Sequence, residues 1–168
     1  MAKTALKGNE VNTVGELPAV GSQAPDFLLV KPDLSEASLA SYHGQKVILN
    51  IYPSVDTGIC AMSTVRFNKE ADALDNVRIV CVSKDLPFAF GRYCEAEGIK
   101  SIDTLSSYRD GGAFGNEYGV EMADGPLKGL NARAIVVVDE NGVVKYTELV
   151  PEITTEPDYE KALAALSA

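Results

Sequence analysis

Three cysteines, Cys60, Cys81 and Cys94, are the residues best suited to chemistry in this 168-residue chain. Cys60 closes the stretch Leu49-Asn-Ile-Tyr-Pro-Ser-Val-Asp-Thr-Gly-Ile-Cys60. The apolar run Val47 to Tyr52 reads as a buried strand, and Pro53 stops it because proline has no N–H for a sheet ladder. A polar turn from Ser54 to Asp56 follows, and a helix pattern begins near Thr57 and continues to about Ala73. Cys60 therefore falls in the first turn of a helix, just past a strand. The free N–H groups and the helix dipole there favour an anion, and a thiolate is an anion. A cysteine so placed is a candidate nucleophile. The competing reading is a small buried core cysteine. Cys81 lies inside the apolar run Val77 to Ser83 and reads as an inert core thiol. Cys94 lies in a helical segment among Arg92, Tyr93 and Glu95, which points to a partly exposed surface.

Composition narrows the chemistry. The chain is 46% hydrophobic and 23% charged, with a formal net charge of −9. That balance indicates one globular domain, residues 1–168, able to fold without disulfides. The negative charge argues against nucleic acid and anionic membranes as partners. No apolar signal segment or spanning run is visible, so a cytoplasmic location is expected. Scattered cysteines without a CxxC pair and a single histidine, His43, make a poor metal site, so no metal or cofactor is expected. His43 beside Gly44 reads as an exposed turn residue.

The elements that must position the cysteines follow from patterning. Residues 1–17 read as an N-terminal β-hairpin extension, with apolar–polar segments flanking Lys7-Gly-Asn-Glu10. Phe27 to Val30 is a short strand, and Ser35 to Tyr42 is open between a helical turn and irregular chain. Val77 to Ser83 is a strand covered on both faces. Leu86-Pro87 opens a helix from Phe88 to Glu97, with Gly98 as its C-cap. Ile102 to Tyr108 reads as a strand, Asp110 to Tyr118 as a glycine-weakened helix, and Glu121 to Asn131 as a loop. Arg133 to Val138 and Val143 to Val150 form a hairpin around Glu140-Asn-Gly142. A terminal helix starts within Thr154 to Asp158. Strand–helix–strand units demand parallel pairing and the late hairpin demands antiparallel pairing. A central mixed sheet with helices on both faces, an α/β architecture, satisfies both.

Pro53-x-x-x-Thr57-x-x-Cys60 resembles the peroxiredoxin signature. The runs Asn50 to Ala61, Ala123-Asp-Gly-Pro-Leu-Lys-Gly-Leu130, Ala132-Arg-Ala134 and Glu152-Ile-Thr-Thr-Glu-Pro-Asp-Tyr159 are similar to the thiol peroxidase group, the atypical two-cysteine peroxiredoxins. The resemblance spans nearly the whole chain. It implies a thioredoxin-like fold and a thiol-dependent peroxidase acting on hydrogen peroxide and alkyl hydroperoxides. It further implies Cys60 as the peroxidatic cysteine and Cys94 as the resolving one. The two would join in an intramolecular disulfide that thioredoxin reduces. Thr57 would hydrogen-bond the sulfur or the peroxide, Pro53 would shield the pocket, and Arg133 would bring positive charge. A homodimer is also implied. Other peroxiredoxin groups continue after the cysteine with a proline-containing run, whereas this chain reads Cys60-Ala-Met-Ser.

The residues alone leave rival assignments. A threonine at a helix start is also an ordinary N-cap, a proline after a strand is also a plain terminator, and Arg66 and Arg109 rival Arg133 by chemistry. A binding module switched by Cys60 oxidation is the alternative to an enzyme. A protein disulfide oxidoreductase is weakened by the missing CxxC. If Cys60 and Cys94 sit on separate helices, one or both must unwind to join, because a disulfide needs Cα atoms within about 7 Å.

Overall fold

The computed structural model describes residues 1–167. The first two strands, β1 (Lys3–Leu6) and β2 (Asn9–Asn12), pair antiparallel as a separate two-stranded sheet. Their connection, Lys7-Gly8, has φ of 51° and 83°, the doubly left-handed turn that matches strand twist. The expected hairpin extension is therefore present. Next come β3 (Leu28–Val30) and β4 (Glu36–Ser38), paired antiparallel, and a 3-10 turn over Leu39–Tyr42. The ambiguous stretch from Ser35 to Tyr42 is thus half edge strand and half helical turn. His43 is exposed.

The chain then runs β5 (Lys46–Ile51), α1 (Gly58–Ala71), β6 (Val77–Ser83), α2 (Pro87–Glu97), β7 (Asp103–Ser106) and α3 (Ala113–Glu117). It ends with β8 (Ala134–Val138), β9 (Val144–Leu149), α4 (Tyr159–Ala164) and a 3-10 turn over Ala165–Ser167. Seven strands form one mixed sheet in the order β4-β3-β7-β6-β5-β8-β9. β5, β6 and β7 are mutually parallel, while β8 runs antiparallel to β5, with Ile51 opposite Ala134. Crossover helices make the parallel part and the late hairpin makes the antiparallel edge.

Alternation along the central strands divides the core. Val47, Leu49 and Ile51 face one side with Phe114 and Tyr118 from and beside α3. Ile48, Ile79, Ile135 and Val137 face the other with residues of α1, α2 and α4. Phe67 of α1 is fully buried there and meets the Tyr159 ring edge-on at 5.1 Å between centroids.

Three boundaries differ from the sequence reading. α3 starts at Ala113 rather than Asp110, because Gly111 and Gly112 take φ of 68° and 86° and form a left-handed turn ahead of it. The terminal helix starts at Tyr159, capped by the Asp158 carboxylate accepting from Lys161 N at 3.0 Å. Residues 151–157, with Pro157 near their end, run instead as an irregular strap. The strand expected over Ile102 to Tyr108 is confined to Asp103–Ser106.

The strap and the hairpin hold each other. Ile153 N donates to Ala5 O at 2.8 Å, and the Thr4 hydroxyl donates to Val150 O at 2.8 Å. The Glu152 carboxylate accepts from Thr154 N and Gly8 N, bonds that pull its pKa down to about 2.

Gly119, at φ 68°, lies directly against the backbone of Glu16, and a Cβ there would sit 2.2 Å from Glu16 O. Gly119→Ala combines a disfavoured φ with a backbone clash. It is expected to destabilise the fold by at least about 2 kcal/mol, read as a lowered urea midpoint.

Candidate functional site

The sheet brings one end of β5, the start of β8 and the first turn of α1 together. Tyr52 and Pro53, both buried, continue β5 past its last paired residue. Arg133 precedes Ala134, the residue opposite Ile51, so Arg133 and Tyr52 come next in line beyond the ladder. By strand alternation Arg133 faces the same side as Ile135, the side that carries α1. Cys60 lies on that side, completely buried against Tyr52, Val55 and Phe67. Its thiol is free.

The turn between β5 and α1 is organised on Ser54. Its carbonyl accepts from Thr57 N at 3.1 Å and from the Thr57 hydroxyl at 3.0 Å. Thr57 is the N-cap residue of α1 by position, but its side chain makes no capping bond. The ordinary-cap reading of Thr57 therefore fails. With its proton committed to Ser54 O, the hydroxyl presents lone pairs.

Arg133 is 2% exposed. Its Nε donates to Ile153 O at 2.8 Å, and its Nη1 is buried with no partner among the described residues. Burying a guanidinium is costly unless it is paired and hydrogen-bonded, so this side chain is shaped for an anion. The rival arginines have other occupations. Arg66 is exposed, pairs with Glu70 at 3.0 Å and lies over the Tyr159 ring at 4.7 Å. Arg109 is exposed and pairs with Glu36 at 3.4 Å.

Sequence reasoning missed the polar pins behind Cys60. Ser63 and Thr64 donate to Cys60 O at 3.0 and 2.9 Å, and Thr64 Oγ1 is also 3.1 Å from the Tyr52 hydroxyl. Asn50 Nδ2 donates to Ser63 Oγ at 3.2 Å. All are fully buried. A polar Asn50 inside an apolar strand run was the signal available in the sequence. Ile153, whose carbonyl orients Arg133, was unreadable because its backbone makes the contact.

Cys81 sits beneath this network, with Asn50 Nδ2 3.6 Å from its sulfur. Burial pushes its thiol up to about 12 despite hydrogen bonds that pull the other way. Cys94 is half-buried in α2, and burial raises its pKa as well. It lines a cleft of about 170 Å³ with Pro32, Ile99 and Thr104. Next to it, the Tyr93 hydroxyl donates to Ala61 O at 2.9 Å, tying α2 to the residue after Cys60. The structure thus gathers Cys60, Thr57, Pro53 and Arg133 at one sheet end and holds Cys94 on a neighbouring helix. Among the described residues no group of three or more His, Cys, Asp or Glu side chains could hold a metal ion, and no helix is long and apolar enough to cross a membrane.

The Redoxin family model matches residues 19–163. Over 167 residues the chain is 53% identical to thiol peroxidase of Corynebacterium glutamicum, covering 99% of this chain and all of that protein. It is 55% identical to thiol peroxidase of Mycobacterium tuberculosis over the full length of both chains. The solved structure of a peroxiredoxin-like protein from Aquifex aeolicus superposes with a TM-score of 0.92 at 36% identity, covering 98% of this chain and 95% of that one.

The environment of Cys81 has a direct consequence. A thiol with a pKa near 12 is neutral throughout the range from pH 6 to 9. In the folded, reduced protein Cys81 is expected to stay unmodified by iodoacetamide at pH 8 and to react fully in denaturant, as read by peptide mass mapping.

Proposed function

Since the chain belongs to the redoxin family and, within it, to the thiol peroxidases, we propose that it reduces hydrogen peroxide and alkyl hydroperoxides by a two-cysteine cycle. The Cys60 thiolate attacks one peroxide oxygen. The S–O bond forms as the O–O bond breaks, and the electron pair leaves with the distal oxygen, which takes a proton and departs as water or alcohol. Cys60 is thereby oxidised by two electrons to a sulfenic acid. The Cys94 thiolate then attacks that sulfur, hydroxide leaves and takes up a proton, and a disulfide remains. An external dithiol of the thioredoxin type reduces it and returns both thiols.

The buried Arg133 with its unpartnered Nη1, just beyond the end of the β5–β8 ladder and on the sheet face that carries α1, is the observation that carries this reading. Charge spreads along the S–O–O axis in the transition state, and a preorganised guanidinium in a water-poor site stabilises it most there. The N-terminal N–H groups of α1 act in the same direction. Thr57, with its own proton engaged, accepts the peroxide O–H and aligns the O–O bond. Buried Pro53 keeps water from the sulfur. A groove of about 450 Å³ runs alongside α1, with Ala61, Met62, Val65 and Tyr93 as its apolar wall and Arg66, Lys69, Glu97 and Glu156 as its charged rim, and the apolar wall suits the organic part of an alkyl hydroperoxide. Exposed Met62, Leu86 and Phe88 add apolar surface that fits a second copy of the chain. We place the reaction in the cytoplasm, where reduced thioredoxin-type dithiols are available.

Resolution requires movement. Cys60 is buried within α1, while Cys94 faces a separate cleft from α2. Joining them demands local unwinding of one or both helices and release of the Tyr93–Ala61 bond.

Arg133→Met is expected to slow oxidation of Cys60 by on the order of 10²–10³-fold, the usual effect of removing one preorganised donor. Stopped reactions of the reduced protein with one equivalent of cumene hydroperoxide, followed by mass spectrometry, measure this. In the same assay the parent protein is expected to yield a Cys60–Cys94 linked peptide, Cys94→Ser to stop at sulfenic acid, and Cys60→Ser to consume no peroxide. An intact Cys60 thiol after treatment overturns the reading. Oxidation without repeated turnover on added thioredoxin and its reductase instead marks a redox-switched binding module.

A further inference from the structure

We propose that Asp85 is a positioning residue for the peroxide-reacting centre, a role that rests on the reading of Cys60 as the attacking thiol. Asp85 lies in the connection between β6 and α2 and touches neither Cys60 nor Arg133 through any hydrogen bond it makes. Its carboxylate receives three donors. Ser54 Oγ donates to Oδ1 at 2.7 Å, Val55 N donates to Oδ2 at 2.7 Å, and Ser83 Oγ donates to Oδ2 at 2.5 Å. Two of these come from the turn that leads into α1. Bonds to an ionised acceptor are roughly twice as strong as neutral ones, and the turn's other charged tie, Arg92 to Asp56 at 3.4 Å, is exposed to solvent and longer.

The consequence passes along Ser54. Its hydroxyl also accepts from Asp56 N at 3.1 Å, and its carbonyl holds both the N–H and the hydroxyl of Thr57. Fixing Ser54 fixes the direction of the Thr57 lone pairs, three residues before Cys60 and one turn away on the same helix face. Val55 is 1% exposed, so its N–H has no solvent to fall back on if the carboxylate is lost. Asp85 is itself held, with Ser106 Oγ donating to its carbonyl and its own N–H donating to Ser83 Oγ at 3.1 Å. The anchor thus rests on the ends of the parallel strands β6 and β7.

Asp85 also stands two residues before Pro87, the first residue of α2. One carboxylate therefore joins the entrances of the helices that carry Cys60 and Cys94. It keeps the Cys60 turn in register with the sheet while α2 rearranges for resolution.

The test compares two rates at Cys60 in the reduced full-length protein: oxidation by hydrogen peroxide and alkylation by iodoacetamide. Peroxide needs the aligned slot, whereas iodoacetamide needs only an accessible thiolate. Asp85→Ala is expected to slow the peroxide reaction at least about tenfold, the scale of a small misplacement of reacting groups, and to change alkylation much less. Asp85→Asn can keep one oxygen on Val55 N and Ser83 Oγ and turn its amide toward Ser54 Oγ, so it is expected to recover to within about threefold of the parent. Equal peroxide rates for the parent and Asp85→Ala overturn the proposal. So does a parallel loss of both rates, which marks general unfolding of the site, and so does an Asn variant as slow as the Ala variant. If Asp85→Ala does not fold, by circular dichroism, Ser54→Ala decides. It removes one bond of the set, and an unchanged peroxide rate in it overturns the proposal, while a loss of about threefold or more supports it. A parent protein whose Cys60 fails to oxidise rejects the peroxidase reading itself, and that result is separate from any effect at Asp85.

Discussion

A guanidinium buried at the end of a sheet with an orphaned Nη1 is a standing electrostatic debt, and much of this structure is arranged around it. Arg133 is 2% exposed and takes one bond, from Nε to Ile153 O. That carbonyl belongs to the strap of residues 151–157, which is held in turn by Ala5 and Gly8 of the N-terminal hairpin, while Thr4 holds Val150 just before it. The hairpin is therefore part of the support of the arginine. An uncompensated buried cation persists only where the surrounding fold over-determines it and where an anion offsets the cost during function. In the proposed reaction the first turn of α1 supplies that anion's place, on the same face of the sheet.

The same sheet end solves a second problem. Parallel strands β5, β6 and β7 end together, so the helices that follow β5 and β6 begin close to one another. Their N-termini and connecting turns converge where ligands gather in open α/β sheets. Asn50, Ser63, Thr64 and Tyr52 pin α1 from beneath, while Asp85 holds the turn in front of it. Cys81 is the silent member of this region. It has the same side-chain chemistry as Cys60 but lies in mid-strand, where burial raises its pKa and removes its nucleophile.

The proposed two-cysteine cycle would place opposing demands on α1 and α2. Attack on peroxide needs a rigid first turn, and disulfide formation needs that rigidity to give way locally. The reduced structure meets the first demand with short polar ties such as Tyr93 to Ala61. This is a single neutral side-chain bond between mid-α2 and the first turn of α1, which local opening can release at low cost. The Cys60 turn itself is fastened more heavily, through a carboxylate on the strand ends. The division places the firm contacts before Cys60 and the releasable one after it.

Local sequence was enough to determine the elements and the chemical type of the site. The apolar run Val77 to Ser83 became β6 residue for residue, and Leu86-Pro87 and Gly98 bounded α2 as capping chemistry requires. The placement of Pro53 after β5, Thr57 at the N-cap of α1 and Cys60 in its first turn was legible because a strand end, a turn and a first helical turn are all short-range features. Misreadings fell where long-range contacts override propensity. The strap ahead of α4 looked like a helix start, but it is held as an irregular run of turns, tied to the hairpin by Ile153 N donating to Ala5 O and Gly8 N donating to the Glu152 carboxylate. Ser35 to Tyr42 could become an edge strand only with β3 beside it. Of three arginines with equal chemistry, only the register of β8 against β5 decided which one is buried on the side of Cys60. The carboxylate of Asp85 found the turn before Cys60 in the same way, across two strand ends that no local pattern relates. Spacing along a chain sets dihedral preferences and helix faces, whereas burial and partnership depend on which strands meet, and that is a property of the folded sheet alone.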